Sequence, residues 1–403
     1  MPTFVIAGAS LAGAKAAETL RDEGFDGEIV LVGSEQELPY ERPPLSKGYL
    51  LGNDSRDSAF VHTADWYAEK NVDLRSGVTV TAIDRDQAAV TVSGPAGTEL
   101  LHYDKLLLTT GASPRRLDFA GSDREEVLYL RTISDSDRLR RAFQPGTRVV
   151  VAGAGWIGLE TTAAARSADC PVTVLEPQST ALYAQVGPEL GDVFASLHRT
   201  HGVEFRFGEH AVEFRPGMVI TSAGAEVPAD IVVVGIGAAP NDGLAASAGL
   251  EVSNGVLTDE ALRTSDQNIF AAGDVANSFH PLLGHRVRVE HWANALNGGP
   301  AAAKSMLGQP VVYDPVPYFF SDQYDLGMEC AGLPLPGSYD QIVYRGDPAT
   351  GEFIAFWLSS GAVVAGMNVN VWDVSDDIQS LIRSRRPINP SRLTNPEIPI
   401  PDL

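Results

Sequence analysis

Two glycine-rich turns, each at the end of an unbroken apolar run, constrain the fold of this chain more than any other feature. The turn GASLAG follows Thr3–Ala7, and the turn GAGWIG follows Arg148–Ala152. Apolar runs without polar alternation are typical of strands buried on both faces of a parallel sheet. A strand, a glycine-rich turn and a helix, in this order, begin a dinucleotide-binding fold. Because one such fold uses one turn of this kind, the sequence predicts two nucleotide sites.

Strands on either side of the second turn indicate how the two folds are connected. Leu106–Thr109 is predicted before it, and Ile269–Ala272 after it. A third, looser strand, Asp230–Val234, runs into Gly235 and Gly237 and is predicted to repeat the strand–turn–helix pattern. Since strand–helix alternation is typical of parallel sheets, the simplest topology places the second nucleotide-binding domain inside the first.

The C-terminal part of the chain has a different pattern. Beyond about Pro315, aromatic and β-branched residues alternate between glycine turns, which predicts antiparallel strands. A helix over Ser375–Arg383 and an extended, proline-rich tail are predicted to follow.

The first glycine turn departs from the GxGxxG pattern at its middle position. Gly8 and Gly13 are in place, but Ser10 stands where the second glycine lets the backbone approach a pyrophosphate. Serine is small, and the helix N-terminus still offers N–H groups and a partial positive charge. The strand Glu28–Val32 leads to Glu35, about 20 residues beyond the turn, where a carboxylate can accept hydrogen bonds from an adenosine ribose. We predict a nucleotide here; the alternative is a glycine turn without a ligand.

The second glycine turn carries the complete pattern, with Gly153, Gly155 and Gly158. The next strand, Val172–Leu175, ends at Glu176, again at the distance expected of a ribose-binding acid. A carboxylate there would repel a 2′-phosphate, and the following PQST contains no basic residue to neutralise one. The sequence therefore predicts NADH rather than NADPH at this site.

Two dinucleotides in one chain favour hydride transfer from a nicotinamide to a flavin. Lys47, in the segment PYERPPLSK, is predicted to place a cation beside the flavin. Glu160, predicted on the first turn of the helix after GAGWIG, is expected to face the nicotinamide. Pairing would neutralise both in a dry pocket, where an unpaired charge is costly. The alternatives are a solvated surface lysine and an acid favoured by the helix dipole.

Three residues near the end of the second half are further candidates. Asp274 ends a predicted strand before a predicted helix, so it is a candidate for binding the ribityl chain of the flavin, a helix N-cap, or both. Trp292 is predicted to lie against the flavin, the alternative being a core residue. His291 is predicted to be structural, because the single proton that accompanies hydride transfer can come from solvent.

Charge and cysteine content exclude several classes of function. The net charge is −22, from 52 acidic and 30 basic side chains, so binding to nucleic acid or to an anionic membrane is not expected. Cys170 and Cys330 form no CxxC pair, which predicts buried, reduced thiols in a cytoplasmic protein. The N-terminal apolar run lacks the basic segment of a signal peptide, and no run reaches the roughly 18 residues of a membrane helix.

Motifs distributed over nearly the whole chain carry a family resemblance. They are PYERPPLSK, TTGASPR, YLRTISDSDRL, GAGWIGLE, FAAGDVA, VEHWANALNGG and YFFSDQYDL. Together they resemble the FAD-dependent NADH:ferredoxin reductases that serve bacterial cytochrome P450s and aromatic-ring dioxygenases. The resemblance implies an α/β, glutathione-reductase-like fold with two Rossmann-type domains and a C-terminal α+β domain. The implied boundaries are 1–111 and 241–316 for the FAD domain, 112–240 for the NAD domain and 317–403 for the C-terminal domain.

The resemblance also implies a function and a set of site residues. Electrons would pass from NADH to FAD and then singly to a [2Fe-2S] ferredoxin. Apart from the resemblance, the sequence leaves the oligomeric state open, with a monomer or weak dimer as the expectation. The residues implied or predicted to bind FAD are Gly8, Ser10, Gly13, Glu35, Lys47, Arg131, Gly273, Asp274 and Trp292. Those for NAD are Gly153, Gly155, Gly158, Glu160, Glu176 and Gly237, and the predicted catalytic residues are Lys47, Glu160 and Trp292. The family often has Trp where this chain has Phe320, which is expected to affect the exit of electrons.

The acidic net charge poses a problem for docking, because ferredoxins of this kind are usually acidic as well. Screening over about 8 Å at physiological salt leaves short-range contacts to decide. We therefore predict a local basic patch of Arg286, Arg288 and Lys304, the alternative being ordinary surface cations.

Disulfide, peroxide and quinone reductases of the same architecture are rival interpretations. The disulfide and peroxide enzymes need a reactive cysteine near the flavin, and the first hundred residues contain none. A membrane quinone reductase would need an amphipathic basic anchor, whereas IRSRRPINPSRL is broken by proline. A flavoprotein that signals through its redox-dependent shape is a non-enzymatic alternative.

Overall fold

A computed structural model describes residues 1–403 of the protein. The chain forms two units of contiguous packing. The first unit comprises residues 1–41, 56–113 and 238–317, and the second comprises residues 42–55, 114–237 and 318–403. None of the helices combines the length and the apolarity that crossing a membrane requires.

The α-helices are α1 Leu11–Asp22, α2 Gly48–Leu51, α3 Ala64–Glu69, α4 Ile133–Ala142, α5 Trp156–Ser167, α6 Tyr183–Val186, α7 Pro188–Thr200, α8 Gly243–Ser247, α9 Trp292–Met306, α10 Ser375–Ser384 and α11 Pro390–Leu393. The 3-10 turns are Pro43–Ser46, Asp57–Ala59, Gly273–Val275, Pro348–Thr350 and Ile400–Asp402. The strands of the first half are β1 Thr3–Ala7, β2 Glu28–Gly33, β3 Val72–Ser76, β4 Thr79–Asp84, β5 Ala89–Gly94, β6 Gly97–His102, β7 Lys105–Leu108, β8 Ala112–Pro114, β9 Val127–Tyr129, β10 Val149–Ala152, β11 Val172–Glu176 and β12 Glu204–Phe207. The remaining strands are β13 Ala211–Arg215, β14 Met218–Thr221, β15 Glu226–Pro228, β16 Ile231–Val234, β17 Ala238–Pro240, β18 Val256–Thr258, β19 Ile269–Ala271, β20 Ala276–His280, β21 His285–Val287, β22 Tyr318–Gln323, β23 Leu326–Gly332, β24 Gln341–Asp347, β25 Glu352–Ser359 and β26 Ala362–Val369.

The first unit is built on a parallel sheet in the order β19-β7-β1-β2-β3. Alternate residues of β1 enter different cores: Ile6 packs with α1 and α9, and Val5 packs with the antiparallel sheet β4-β5-β6. Both faces are therefore buried, which explains the unbroken apolar sequence. α9 approaches α1 so closely that a Cβ on Gly299 would lie 2.2 Å from the carbonyl oxygen of Ala12.

The second unit contains a parallel sheet in the order β12-β11-β10-β16-β9 and an antiparallel sheet in the order β22-β23-β26-β25-β24. One face of β10 packs against the hairpins β13-β14-β15, and Val151 on its other face joins a core with Leu159 and Phe194. Met328 and Trp357 of the antiparallel sheet belong to that same core. Residues 114–237 and 318–403 thus share one apolar interior.

The predicted strands are confirmed apart from single-residue differences at their ends, and the antiparallel C-terminal strands are confirmed as well. The prediction for the third strand–turn stretch was wrong. After β16 the chain turns at Gly237, with φ +91°, and enters β17 rather than a helix. Pro240 explains the difference, because the residue before a proline disfavours the helical conformation.

Two smaller predictions are also corrected. Asp274 lies in a 3-10 turn that leads into β20, not at the start of an α-helix, so it is not an α-helical N-cap. The tail is not wholly extended, because the side chain of Asn389 caps α11 at the N–H of Ser391 and Pro390 occupies the first helical position.

Candidate active site

The turn between β1 and α1 is shaped by its two glycines. Gly8 has φ +128°, and a Cβ there would lie 2.1 Å from the carbonyl oxygen of Thr109. A Cβ on Gly13 would lie 2.1 Å from the carbonyl oxygen of Gly8. Ser10 is the N-cap residue of α1, and its side chain makes no capping hydrogen bond. The turn is therefore packed too tightly for a side chain at Gly8 or Gly13, while the first-turn N–H groups of α1 stay available to an anion.

The acid at the end of the neighbouring strand is held by a tyrosine. Glu35 follows β2, is partly buried, and accepts a hydrogen bond from the hydroxyl of Tyr40. Tyr40 is itself buried, so the carboxylate has a fixed direction. Tyr40 was not predicted to have a role, although it belongs to the segment PYERPPLSK, which also contains Lys47.

The remaining candidates of the first unit lie on two elements. Gly273 has φ +74°, and the backbone carbonyl of Asp274 accepts a hydrogen bond from Arg288 Nη1 at 3.2 Å. Trp292 is the first residue of α9, and its Nε1–H donates to Glu41 Oε2 at 3.0 Å. His291 is the N-cap of that helix, and burial lowers its pKa to about 4, so its ring is neutral near pH 7.

The turn between β10 and α5 repeats this plan with one difference. A Cβ on Gly153 would lie 2.5 Å from the carbonyl oxygen of Gly235, and one on Gly158 would lie 2.1 Å from the carbonyl oxygen of Gly153. Gly155 has no such neighbour, since its Cβ would come no closer than 3.8 Å to any protein atom. The protein itself does not require glycine at 155. The free space fits the close approach of a pyrophosphate.

We call each glycine turn together with its neighbouring acid a nucleotide cradle: the first consists of the β1–α1 turn and Glu35, and the second of the β10–α5 turn and Glu176. Backbone N–H groups hold the acid of the second cradle. Glu176 accepts hydrogen bonds from the N–H of Ala154 at 2.7 Å and from the N–H of Gln178 at 2.9 Å. Ala154 belongs to the glycine turn, so the carboxylate is tied to the place where a pyrophosphate would lie. Ile157 and Ile236 beside the turn are 44% and 38% exposed, and a bound nucleotide would cover such apolar surface. Gly237 lies in the chain segment that follows Ile236.

Lys47 and Glu160 are brought together in the interior of the second unit. Lys47 Nζ lies 2.7 Å from Glu160 Oε1, and the two side chains are 15% and 3% exposed. The predicted pairing is thus present, but the prediction that Glu160 lies on the first turn of its helix was wrong. α5 begins at Trp156 after the N-cap Gly155, so Glu160 lies on the second turn.

Two serines that the sequence analysis missed complete the surroundings of Glu160. The hydroxyl of Ser46 donates to Oε2, and the hydroxyl of Ser321 donates to Oε1 at 2.7 Å. Both carboxylate oxygens are therefore satisfied in a site that excludes water. Each serine is adjacent to a residue that sequence analysis had singled out, Lys47 and Phe320, and that adjacency was the only available signal.

Aromatic and acidic groups complete the environment of the ammonium group. Lys47 Nζ lies 5.2 Å from the centre of the Phe320 ring, within the range of a cation–π interaction. Partial desolvation raises the pKa of Asp322, whose side chain is exposed on β22; the negative charge of Glu160 raises the pKa further, while Lys47 opposes the shift. Lys47 is the only cation among these groups.

Arg131 and the three predicted docking cations are placed as follows. The N–H of Arg131 donates to Asp135 at 3.1 Å, and its carbonyl accepts a hydrogen bond from Arg42.

Arg286 is exposed on β21, and its guanidinium donates to the carbonyl of Thr258. Arg288 is only 10% exposed and pairs with Glu290 at 2.5 Å, whereas Lys304, 45% exposed, pairs with Glu23 at 3.4 Å.

The chain matches two protein-family models. Residues 2–299 match the pyridine nucleotide-disulphide oxidoreductase family, and residues 318–403 match the reductase C-terminal family.

Proteins similar over their whole length are also known. The ferredoxin–NAD(+) reductase component of the anthranilate 1,2-dioxygenase system of Burkholderia cepacia is 40% identical, over 98% of this chain and 97% of its own. Putidaredoxin reductase of Pseudomonas putida is 36% identical, over 99% of this chain and 96% of its own. The crystal structure of the ferredoxin reductase for the CYP199A2 system of Rhodopseudomonas palustris superposes with a TM-score of 0.94 at 33% identity, covering 99% of each chain.

Proposed function

The chain belongs to the pyridine nucleotide-disulphide oxidoreductase family and, within it, to the ferredoxin–NAD(+) reductases, and we propose how its residues divide that work. It is an FAD-dependent oxidoreductase that transfers electrons from NADH to a ferredoxin, as the sequence motifs predicted. The glutathione-reductase-like fold is confirmed too. The observation that carries this function is the presence of two strand–glycine turn–helix segments, one in each unit, each with a carboxylate held after the next strand, Glu35 and Glu176.

We assign FAD to the cradle of the first unit and NADH to that of the second. The pyrophosphate of FAD is proposed to bind at Gly8, Ser10 and Gly13, and its ribose at Glu35. The family resemblance implies further contacts with FAD from Gly273, Asp274, Trp292, Lys47 and Arg131. The NADH site would be lined by Gly153, Gly155, Gly158 and Gly237, and Glu176 would bind the ribose. A carboxylate at that position disfavours the extra phosphate of NADPH.

Bound FAD supplies hydride acceptance from NADH and one-electron release to the ferredoxin. The protein contributes charge placement and exclusion of water. Lys47 is proposed to act on the flavin and Glu160 to hold Lys47 and face the nicotinamide. The carboxylate of Glu160 supplies the counter-ion for the ammonium group of Lys47, because an unpaired charge in the interior is costly. Trp292 is proposed to lie against the flavin with its orientation fixed by Glu41.

Neither cysteine supports the rival disulfide or peroxide chemistry. Cys170 and Cys330 are both buried and free, and burial raises the pKa of both thiols. A thiol must be a thiolate to act as a nucleophile, so these two are expected to be inert.

Stopped-flow absorbance of the purified yellow protein tests the function in two steps. Mixing with NADH is expected to bleach the flavin far faster than mixing with NADPH, and subsequent addition of a [2Fe-2S] ferredoxin is expected to restore the yellow colour. A protein that is purified without flavin and cannot be loaded with it, or one that NADH does not bleach, would contradict the function.

Docking of the ferredoxin is proposed to involve the exposed Arg286, with Lys304 in support. Arg288 is a weaker candidate than sequence predicted, because Glu290 neutralises it and its side chain is largely buried. The double charge reversal Arg286→Glu/Lys304→Glu is expected to slow ferredoxin reduction and to leave NADH–ferricyanide turnover nearly intact. Equal loss of both activities would refute a docking role.

A further inference from the structure

A row of buried polar side chains leads away from Glu160 through the second unit. Ser321 contacts the carboxylate, and Gln323 Nε2 lies 3.1 Å from Ser321 Oγ. Gln323 Oε1 lies 2.8 Å from His198 Nε2, and His198 Nδ1 lies 3.1 Å from the hydroxyl of Tyr324. The row joins α5, β22 and α7, which are distant in sequence.

The carboxylate of Glu160 fixes the direction of every hydrogen bond in this row. Ser321 has one hydroxyl proton, and the carboxylate accepts it. Ser321 must therefore accept from the amide N–H of Gln323, whose carbonyl is then left to accept from His198 Nε2–H.

The last link follows in the same way. A neutral ring that carries its proton on Nε2 has an acceptor at Nδ1, so the hydroxyl of Tyr324 donates to His198. All donors point toward Glu160, and such aligned bonds strengthen one another.

The row is isolated from solvent along most of its length. His198 is fully buried, and Ser321 and Gln323 are each 1% exposed. Burial lowers the pKa of His198 to about 4, so the ring stays neutral near pH 7; the nearby His201 lowers it further, whereas the hydrogen bond to Gln323 opposes the shift. Other ionisable groups facing the row are Lys47 and Asp322 beside Glu160 and Arg166 near Tyr324. The ring centres of His201 and Tyr324 lie 3.6 Å apart, so His201 stacks on Tyr324 at the end of the row that is farthest from Glu160.

We propose that Gln323 and His198 are positioning residues for flavin reduction: acting through Ser321, they hold the carboxylate of Glu160 in the orientation that keeps Lys47 in place. This inference rests on the proposed role of Lys47 and Glu160 in that step. Neither Gln323 nor His198 touches Lys47, so their effect is indirect.

The variant Gln323→Glu tests the direction of the bonds at constant side-chain size. An ionised carboxylate at 323 has no proton to donate and competes with Glu160 for the single hydroxyl proton of Ser321, which weakens the hydrogen bond that Glu160 accepts. A protonated carboxyl at 323 donates to Ser321 and restores the row. Burial raises the pKa of such a group above its usual value of about 4.3. The rate of flavin bleaching by NADH is therefore expected to be close to wild type in acid and to fall about tenfold as pH rises, a loss worth about 1.4 kcal/mol.

Two control variants separate this effect from others. Gln341→Glu makes the same charge change at an exposed position, the first residue of β24, and its pH profile is expected to follow wild type. Gln323→Leu removes donor and acceptor together, so its rate should be low at every pH without recovery in acid. The proposal is overturned if Gln323→Glu follows wild type throughout, or if Gln341→Glu shows the same pH step.

A second readout does not depend on turnover. In the oxidised, FAD-loaded protein, ¹⁵N NMR of labelled histidines is expected to show His198 as the neutral Nε2–H tautomer, and to lose that signal pattern in Gln323→Leu. A His198 that is protonated at pH 7, or that carries its proton on Nδ1, would refute the row itself. Failure of NADH to bleach the wild-type flavin would instead refute the proposed function and leave the NMR result standing.

Discussion

The two nucleotide cradles follow one local plan but hold their acids differently. Glu35 is oriented by a side chain, the hydroxyl of Tyr40, whereas Glu176 is oriented by backbone N–H groups, one of them from the glycine turn itself. The second acid is therefore preset by the same turn that would receive the pyrophosphate. The first depends on a residue contributed by a separate loop.

The middle position of the turn differs as well. Ser10 occupies it in the first cradle, and Gly155 occupies it in the second, where a Cβ would meet no protein atom closer than 3.8 Å. The outer glycines, in contrast, are required by packing in both cradles. A glycine of the GxGxxG pattern can therefore be required by the packing of the turn or by the bound nucleotide. Replacement by alanine is expected to destabilise the protein at the first kind of position and to weaken nucleotide binding at the second.

The largest effect is expected from Gly8→Ala. The added Cβ meets the backbone of Thr109 at 2.1 Å and the residue is kept at φ +128°, so unfolding should become easier by about 3 kcal/mol or more. Urea unfolding and the flavin content of the purified protein measure this. Gly24→Ala is the matched control, because Gly24 also has positive φ, at +81°, but has nothing within 4 Å; it should cost only about 1 kcal/mol. Equal losses in the two variants would show that backbone conformation, not packing, sets the requirement at Gly8.

Features whose residues lie close together in the sequence were predicted, and features that join distant segments were mostly not. The glycine turns and their acids were predicted because each belongs to one strand–turn–strand stretch with fixed spacing. The Lys47–Glu160 pair was predicted because both side chains were expected near the reacting rings, where pairing would neutralise two opposite charges in a dry pocket. Even so, the helical turn of Glu160 was misplaced, because the sequence does not mark whether the helix begins at Trp156 or only after the last glycine of the turn, Gly158.

The parts that sequence did not predict are contacts between distant segments. Ser321 contacts Glu160, and His198 reaches it through Gln323, because β22 and α7 pack beside α5. Adjacency to Phe320 was the only local signal for Ser321, and the sequence around His198 gives none. Tyr40 was overlooked for a related reason, since a tyrosine in a loop carries no period or motif of its own. The division into FAD, NAD and C-terminal domains at the predicted boundaries stays a prediction.

The next effect in size is expected from Glu176→Ala. The substitution removes the ribose acceptor of the second cradle, so the KM for NADH should rise about tenfold, the equivalent of about 1.4 kcal/mol, with flavin content unchanged. The ratio of kcat/KM for NADPH to that for NADH should increase, because the charge that repels a 2′-phosphate is gone. Glu35→Ala is the counterpart in the first cradle and should lower flavin retention while leaving the KM for NADH near wild type. The assignment of cofactors to cradles fails if the two variants exchange phenotypes.

A smaller effect is expected from Gly155→Ala. The added methyl group fits the protein, so the free energy of unfolding should change by less than about 0.5 kcal/mol. It occupies the space proposed for the pyrophosphate, so the KM for NADH should rise about fivefold, a change of about 1 kcal/mol. Steady-state kinetics and urea unfolding on the same preparation check both statements. A destabilised protein with an unchanged KM would mean that Gly155 serves the fold.

The smallest effect is expected from Ser10→Gly, which gives the first cradle the pattern of the second. The side chain of Ser10 makes no capping hydrogen bond, so its removal should cost only a few tenths of a kcal/mol through the greater backbone freedom of glycine. The rate of FAD release, followed by flavin fluorescence after dilution, should therefore stay within about twofold of wild type. Ser10→Val provides the opposite case, because its bulk at the middle of the turn should accelerate release. A large increase for Ser10→Gly as well would assign the hydroxyl a direct contact with the pyrophosphate, and the first cradle would then differ from the second in chemistry and not only in shape.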